Sequence, residues 1–181
     1  GLFAENNAYT KFYRSVKDYE GNTYFIGSSF VKKPKWGAIA SSVLLSPLVI
    51  VSPYILAVGG TQKCKITDAM LLKQNASGQL SFYNSIEANN SNFFPARVSL
   101  NYMDKRSYYT VSNSTTKSNY LIVDDVKDIF IYNIGQKKVV RTVSHKDGKL
   151  RTDIFPAKEG HVMVREYNQK EKYTRLSIEA L

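Results

Sequence analysis

The sequence predicts one mainly β domain spanning residues 1–181, an antiparallel sandwich or partly open barrel built from consecutive hairpins with at most one or two short helices. Three observations carry this expectation. Thirteen tyrosines, nine phenylalanines and one tryptophan in 181 residues favour strands, because aromatic rings pack well on a pleated surface. Short runs of alternating apolar and polar residues recur, separated by Asn, Ser, Gly or Asp, the spacing of a sandwich or barrel. The apolar fraction of 43% and charged fraction of 22% are those of a globular domain, which excludes a disordered tail, a collagen-like fibre or a coiled coil. A chain of this length removes roughly 70% of its extended surface from water, so it needs neither a metal nor a disulfide to fold.

Tyr9 to Val16 and Thr23 to Val31 form a first hairpin across Asp18-Tyr19-Glu20-Gly21-Asn22. Residues 36–60 are the unusual part. From Trp36 to Gln62 there are 27 residues without a formal charge, and 16 of the 23 between Trp36 and Val58 are apolar. As one helix, such a segment would span ~40 Å, enough for a ~30 Å hydrocarbon core. Pro47 and Pro53, each preceded by a serine, argue for short extended pieces instead. The segment therefore has three readings: buried strands, an interaction surface that also supports oligomerisation, or a membrane-associated element. Its candidate contact residues are Trp36, Val49, Ile50 and Tyr54.

Beyond it, Lys63-Cys64-Lys65-Ile66-Thr67 alternates like a strand, with the lone Cys64 facing inward and unable to form an internal disulfide. Thr67 to Lys73 reads as a helical turn with Thr67 as its cap. Ser81 to Tyr83, Arg97 to Tyr102 and Ser107 to Val111 read as strands. Asn119 to Asn133 is a hairpin around the acidic turn Asp124 to Asp128, and Gly135-Gln136 turns the chain into Lys138 to Val143. Asp147-Gly148 is a strong hairpin signal, leading into the alternation of Leu150, Thr152 and Ile154 with Arg151 and Asp153. Pro156 and Gly160 end that strand. Last come His161 to Tyr167 and Tyr173 to Leu181. In the final strand Leu176, Ile178 and Ala180 share one side and Arg175, Ser177 and Glu179 the other, a pattern that leaves one wet face. The chain shows no internal repeat of fixed period.

The formal net charge is +10, and residues 136–175 hold 11 cations against five acids. Such a surface attracts nucleic acid, anionic lipid or acidic glycan alike. Arg165, Tyr167, Lys172, Tyr173 and Arg175 interleave cations with aromatics, as sheet faces that stack single-stranded bases do. No catalytic, cofactor or metal constellation is visible. Two histidines sixteen residues apart and one cysteine make no zinc pattern, and Asp124, Asp125 and Asp128 lack the ligand spacing of a calcium loop. Phosphate-loop, dinucleotide and nucleophile-elbow motifs are absent.

The start, Gly1-Leu2-Phe3-Ala4-Glu5-Asn6-Asn7, has neither the basic start nor the apolar stretch of a signal peptide. It resembles the end of one, so the expectation is a mature exported protein with its leader removed, at a cell envelope or beyond. Three sequons, at Asn75, Asn89 and Asn113, fall in polar stretches that read as loops. The functional expectation is thus a non-catalytic binding or structural domain without cofactors. A protein or an anionic surface (lipid or glycan) is favoured over nucleic acid as its partner.

Overall fold

A computed structural model describes residues 9–34, 62–87, 91–95, 108–125 and 127–181. Among the described residues there are thirteen strands, all paired antiparallel, and no helix. They form three sheets. Sheet A holds β1 (Tyr9–Lys17), β2 (Thr23–Pro34), β3 (Gln62–Gln74) and β4 (Leu80–Glu87) in that order, with β5 (Ser91–Pro95) also on β3. Sheet B is β6 (Tyr108–Asn113), β7 (Ser118–Asp124), β8 (Asp128–Asn133) and β9 (Lys138–Ser144). Sheet C is β10 (Lys146–Asp147), β11 (Leu150–Pro156), β12 (His161–Asn168) and β13 (Tyr173–Ala180).

Sheet B is the middle layer of three. Alternate side chains of a strand point to opposite faces, and in β7 the contiguous run Tyr120-Leu121-Ile122-Val123 is buried on both. Leu121 and Val123 join Tyr108, Tyr132 and Ile134 against Tyr24, Ile26 and Leu71 of sheet A. Tyr120 and Ile122 join Tyr109, Ile129 and Ile131 against Ile154, Val162 and Val164 of sheet C. Two apolar cores therefore lie back to back across one sheet. Burying an Ile or Val fully contributes roughly 1.5–3 kcal/mol, and among the described residues sheet B supplies more buried apolar side chains than either neighbouring sheet. Among the described residues the fold is sandwich-like rather than a closed barrel, with three sheets.

Polar ties fix the layers in place. Ser28 Oγ donates to the Tyr108 hydroxyl at 2.9 Å, and Tyr83 donates to the Ile134 carbonyl at 2.7 Å. Tyr109, on the other face, donates to the Ile154 carbonyl. Burial pushes the Tyr108 phenol up to about 12 and raises that of Tyr109 as well, so Tyr109 keeps the proton it donates to the Ile154 carbonyl.

Three hairpins use the same loop. Asn113, Asn133 and Asn168 each precede a four-residue turn, and each turn ends on a lysine in the left-handed region, Lys117, Lys137 and Lys172, at φ 52°, 53° and 55°. The asparagine side-chain oxygen caps the turn, accepting from Thr115 and Thr116 N at 3.1 Å, from Gln136 N at 3.0 Å, and from Lys170 N at 2.9 Å. Asx capping of this kind offsets the ~1 kcal/mol or so that a left-handed lysine costs.

Gly27 is required by close approach. A Cβ there would lie 2.3 Å from the Lys11 carbonyl oxygen of β1, beside the register shift between Phe12 and Arg14.

Several expectations change. Thr67 to Lys73 is part of β3 rather than a helical turn. Ser29 pairs with Asp68 but Phe30 with Ile66, so Thr67 is the extra residue of a bulge, its hydroxyl on the Ser29 carbonyl at 3.4 Å. Cross-strand pairing of Ala69 to Leu72, buried on both sides, overrides the local capping signal. The Asp147-Gly148 hairpin exists, as the two-residue loop Gly148-Lys149 between Asp147 and Leu150. It joins β11 only to the short β10, because β9 belongs to sheet B. Strand β13 keeps its alternation but is turned over. Arg175, Ser177 and Glu179 pair beside Glu166, Val164 and Val162 on the inner side, and Leu176 and Ile178 face out. Arg141 of β9 holds Glu179 in an ion pair, which satisfies the inward carboxylate. The expected strand Arg97 to Tyr102 and segment 36–60 lie outside the described residues.

Candidate functional site

The outer face of sheet C is a grid fixed by register. Its first row is Lys146, Arg151, Tyr167 and Thr174, one residue from each strand in order. The second is Asp153, Arg165 and Leu176, and the third Phe155, Met163 and Ile178. The face thus grades from basic to apolar over three rows. These positions face out because their neighbours Ile154, Val162 and Val164 occupy the core, and side chains alternate with period two.

The basic end opens into a groove of about 550 Å³ lined by the first row together with Asp153, Arg165 and His145. It carries three permanent cations against one carboxylate. Arg165 is held in place, its Nε donating to Asp153 Oδ2 at 3.0 Å and its guanidinium 5.6 Å from the centre of the Phe155 ring. A guanidinium fixed in this way presents its remaining N–H groups without further loss of rotamer freedom.

His145 closes one side of the groove, where the chain crosses from sheet B to sheet C. Its backbone N donates to Lys127 O and its carbonyl accepts from Thr152 N, both at 2.9 Å. The ring lies 2.7 Å from Asp124 Oδ1 and 2.9 Å from Asp125 O through Nε2, and 3.1 Å from Thr152 O through Nδ1. Both nitrogens thus face acceptors. A neutral imidazole donates from one nitrogen only, so the cation is the form that satisfies the site. Burial pulls the imidazole pKa down, but the Asp124 charge and the hydrogen bonds outweigh it, and the net shift is upward. Burial likewise pushes the Asp124 carboxyl above its ordinary value, against the opposing pull of His145.

A histidine pKa raised in the folded state stabilises fully below the unfolded value of 6.5 and loses that contribution as pH rises through the folded value. The midpoint of thermal unfolding is therefore expected to fall as pH rises from below 6.5 through the raised folded-state value. His145→Gln should flatten that profile; the same fall in the variant would contradict the assignment.

Of the residues singled out in the sequence, Arg165 and Tyr167 lie together in the groove. Tyr173 and Arg175 pair with Asn168 and Glu166 and belong to the opposite side of the sheet. Lys172 is the left-handed end of the β12–β13 turn. Trp36, Val49, Ile50 and Tyr54 lie outside the described residues. Sequence reasoning missed Lys146, Arg151, Thr174 and His145 as groove residues, because they join only through cross-strand register. The alternation of Arg151 and Asp153 with Thr152 and Ile154 was the available signal for part of that face.

Comparison with known proteins finds no family pattern that matches the chain, and no characterised protein or solved structure that resembles it.

Proposed function

We propose that this protein is a non-catalytic binding domain that holds an acidic glycan in the basic groove on the outer face of sheet C. The observation that carries the proposal is the convergence of Lys146, Arg151 and Arg165 around one open groove with Tyr167 and Thr174 between them. Guanidinium groups match carboxylates with two parallel hydrogen bonds. Tyr167 adds a ring with a polar tip, suited to a sugar that is apolar on its face and polar at its edge.

Two features favour a glycan bound rather than cut, and favour it over nucleic acid. Glycoside hydrolysis uses a pair of carboxylates, and Asp153 is the one carboxylate among the described lining residues. Single-stranded nucleic acid stacks successive bases on successive aromatics, and Tyr167 is the one aromatic among the described residues that line the groove. Export to a cell envelope or beyond, where acidic glycans are found, is part of the proposal. Sequons in the Asn75 and Asn113 turns agree with it.

Titration calorimetry with polygalacturonate, dextran and an oligothymidylate separates the readings. The expected result is binding of the polyuronate, none of the neutral dextran, and weaker binding of the oligonucleotide. Equal affinity for dextran and polygalacturonate would overturn the proposal. Tighter binding of the oligonucleotide would replace it with a nucleic-acid reading.

A further inference from the structure

The far edge of sheet C is an eight-residue strand with no strand beside it among the described residues. On its outer side Leu176 and Ile178 are 61% and 63% exposed, the two most exposed large apolar side chains described. An open edge flanked by exposed apolar residues is a template for another strand.

The phase of the ladder shows which groups are free. Leu181 N donates to Gly160 O at 2.8 Å, and Gly160 lies opposite Leu181 in the register that pairs His161 with Ala180. Hydrogen-bonded and non-hydrogen-bonded pairs alternate in an antiparallel ladder. Residues 173, 175, 177 and 179 therefore bond to β12. The backbone N–H and C=O groups of Thr174, Leu176, Ile178 and Ala180 point to the open edge.

We propose that this edge pairs with the same edge of a second copy of the chain, antiparallel about a two-fold axis at Ser177. Charge complementarity selects both the partner and the register. Arg175 is the only cation of β13 and Glu179 its only anion. Centring the pair on Ser177 sets Arg175 opposite Glu179 of the other copy, twice. It also sets Leu176 opposite Ile178 on the outer side and turns all the free edge groups toward each other. Centring on Leu176 or Ile178 opposes neither charge to its counterpart. Charges on the inner side of an edge strand ordinarily discourage foreign strands, and here they are complementary only to the same strand reversed. Arg141 beside Glu179 extends each ion pair to two cations on one carboxylate.

The result is a continuous eight-stranded sheet with closed, isologous symmetry. If the groove reading holds, both grooves open on one face roughly 30 Å apart, at strand spacings of ~4.8 Å and rises of ~3.4 Å per residue. A single polymer chain could then engage both.

Sedimentation equilibrium of the full chain, without ligand, tests the pairing. The wild type is expected to form a dimer. Arg175→Glu should weaken it roughly tenfold or more, since opposed like charges replace attractive pairs, and adding Glu179→Arg should restore it only in part, because the new cation faces Arg141. Ile178→Pro, which removes an outward-facing N–H together with an exposed apolar side chain, should give a monomer with an unchanged far-ultraviolet spectrum. A wild type that is monomeric at millimolar concentration would overturn the proposal. So would a dimer unaffected by Ile178→Pro, whatever the charge variants do.

Discussion

Ile122→Ala is expected to destabilise the protein by about 2–5 kcal/mol, the range for truncating a fully buried Ile where the site collapses only partly. Ile122 is completely buried in β7, the inner strand of the middle sheet, and faces sheet C with Ile131, Ile154 and Val164. Its neighbours are held from the other side by the sheet A core, so the cavity has little freedom to close. Chemical denaturation reads the loss as a lower midpoint at unchanged slope. Leu80→Ala is the control, at a position 55% exposed on β4, where a change within about 0.5 kcal/mol is expected. Equal losses at the two positions would contradict the three-layer arrangement.

The second large effect is on binding. Arg151→Glu combined with Arg165→Glu turns two of the three groove cations into anions. Hydrogen bonds to charged groups contribute about 1.5–3 kcal/mol each when desolvated. In an open groove the combined loss is expected near ~3 kcal/mol, about a hundredfold in affinity. Arg165→Glu also faces Asp153, so the pair Arg151→Gln and Arg165→Gln serves as the milder version. It should weaken binding in the same direction while leaving the unfolding midpoint near that of the wild type.

The strands were legible where period and turn chemistry agreed. The first hairpin, the acidic turn between β7 and β8, and the β12–β13 pair fall where the alternation and the turn residues place them. The middle layer was written in the sequence as well, in the unbroken apolar run Tyr120 to Val123, since a strand buried on both faces has no reason to alternate. A repeated signal went unread, namely asparagine four residues before lysine at Asn113, Asn133 and Asn168. It has no fixed period along the chain, but each copy builds the same capped loop. Thr67 misled because a hydroxyl before an apolar stretch suits a helix cap and a β-bulge equally. The orientation of β13 was hidden for a related reason. Its two sides were correctly separated, but an apolar side signals the core only if no partner inside satisfies the polar one, and Arg141 does so from another sheet. Most of the groove was illegible because register is a property of strand pairs, and Lys146, Arg151, Tyr167 and Thr174 sit on four different strands.

The most direct test of the groove is the salt dependence of polygalacturonate binding by wild type and by the Arg151→Glu, Arg165→Glu variant. A ligand held by Lys146, Arg151 and Arg165 releases counterions as it binds, so the logarithm of the affinity should fall linearly with the logarithm of salt concentration, with a slope of about −2 to −3. The variant should bind about a hundredfold more weakly. Affinity that stays flat with salt, or that is undiminished in the variant, would contradict the assignment of this face as the binding site.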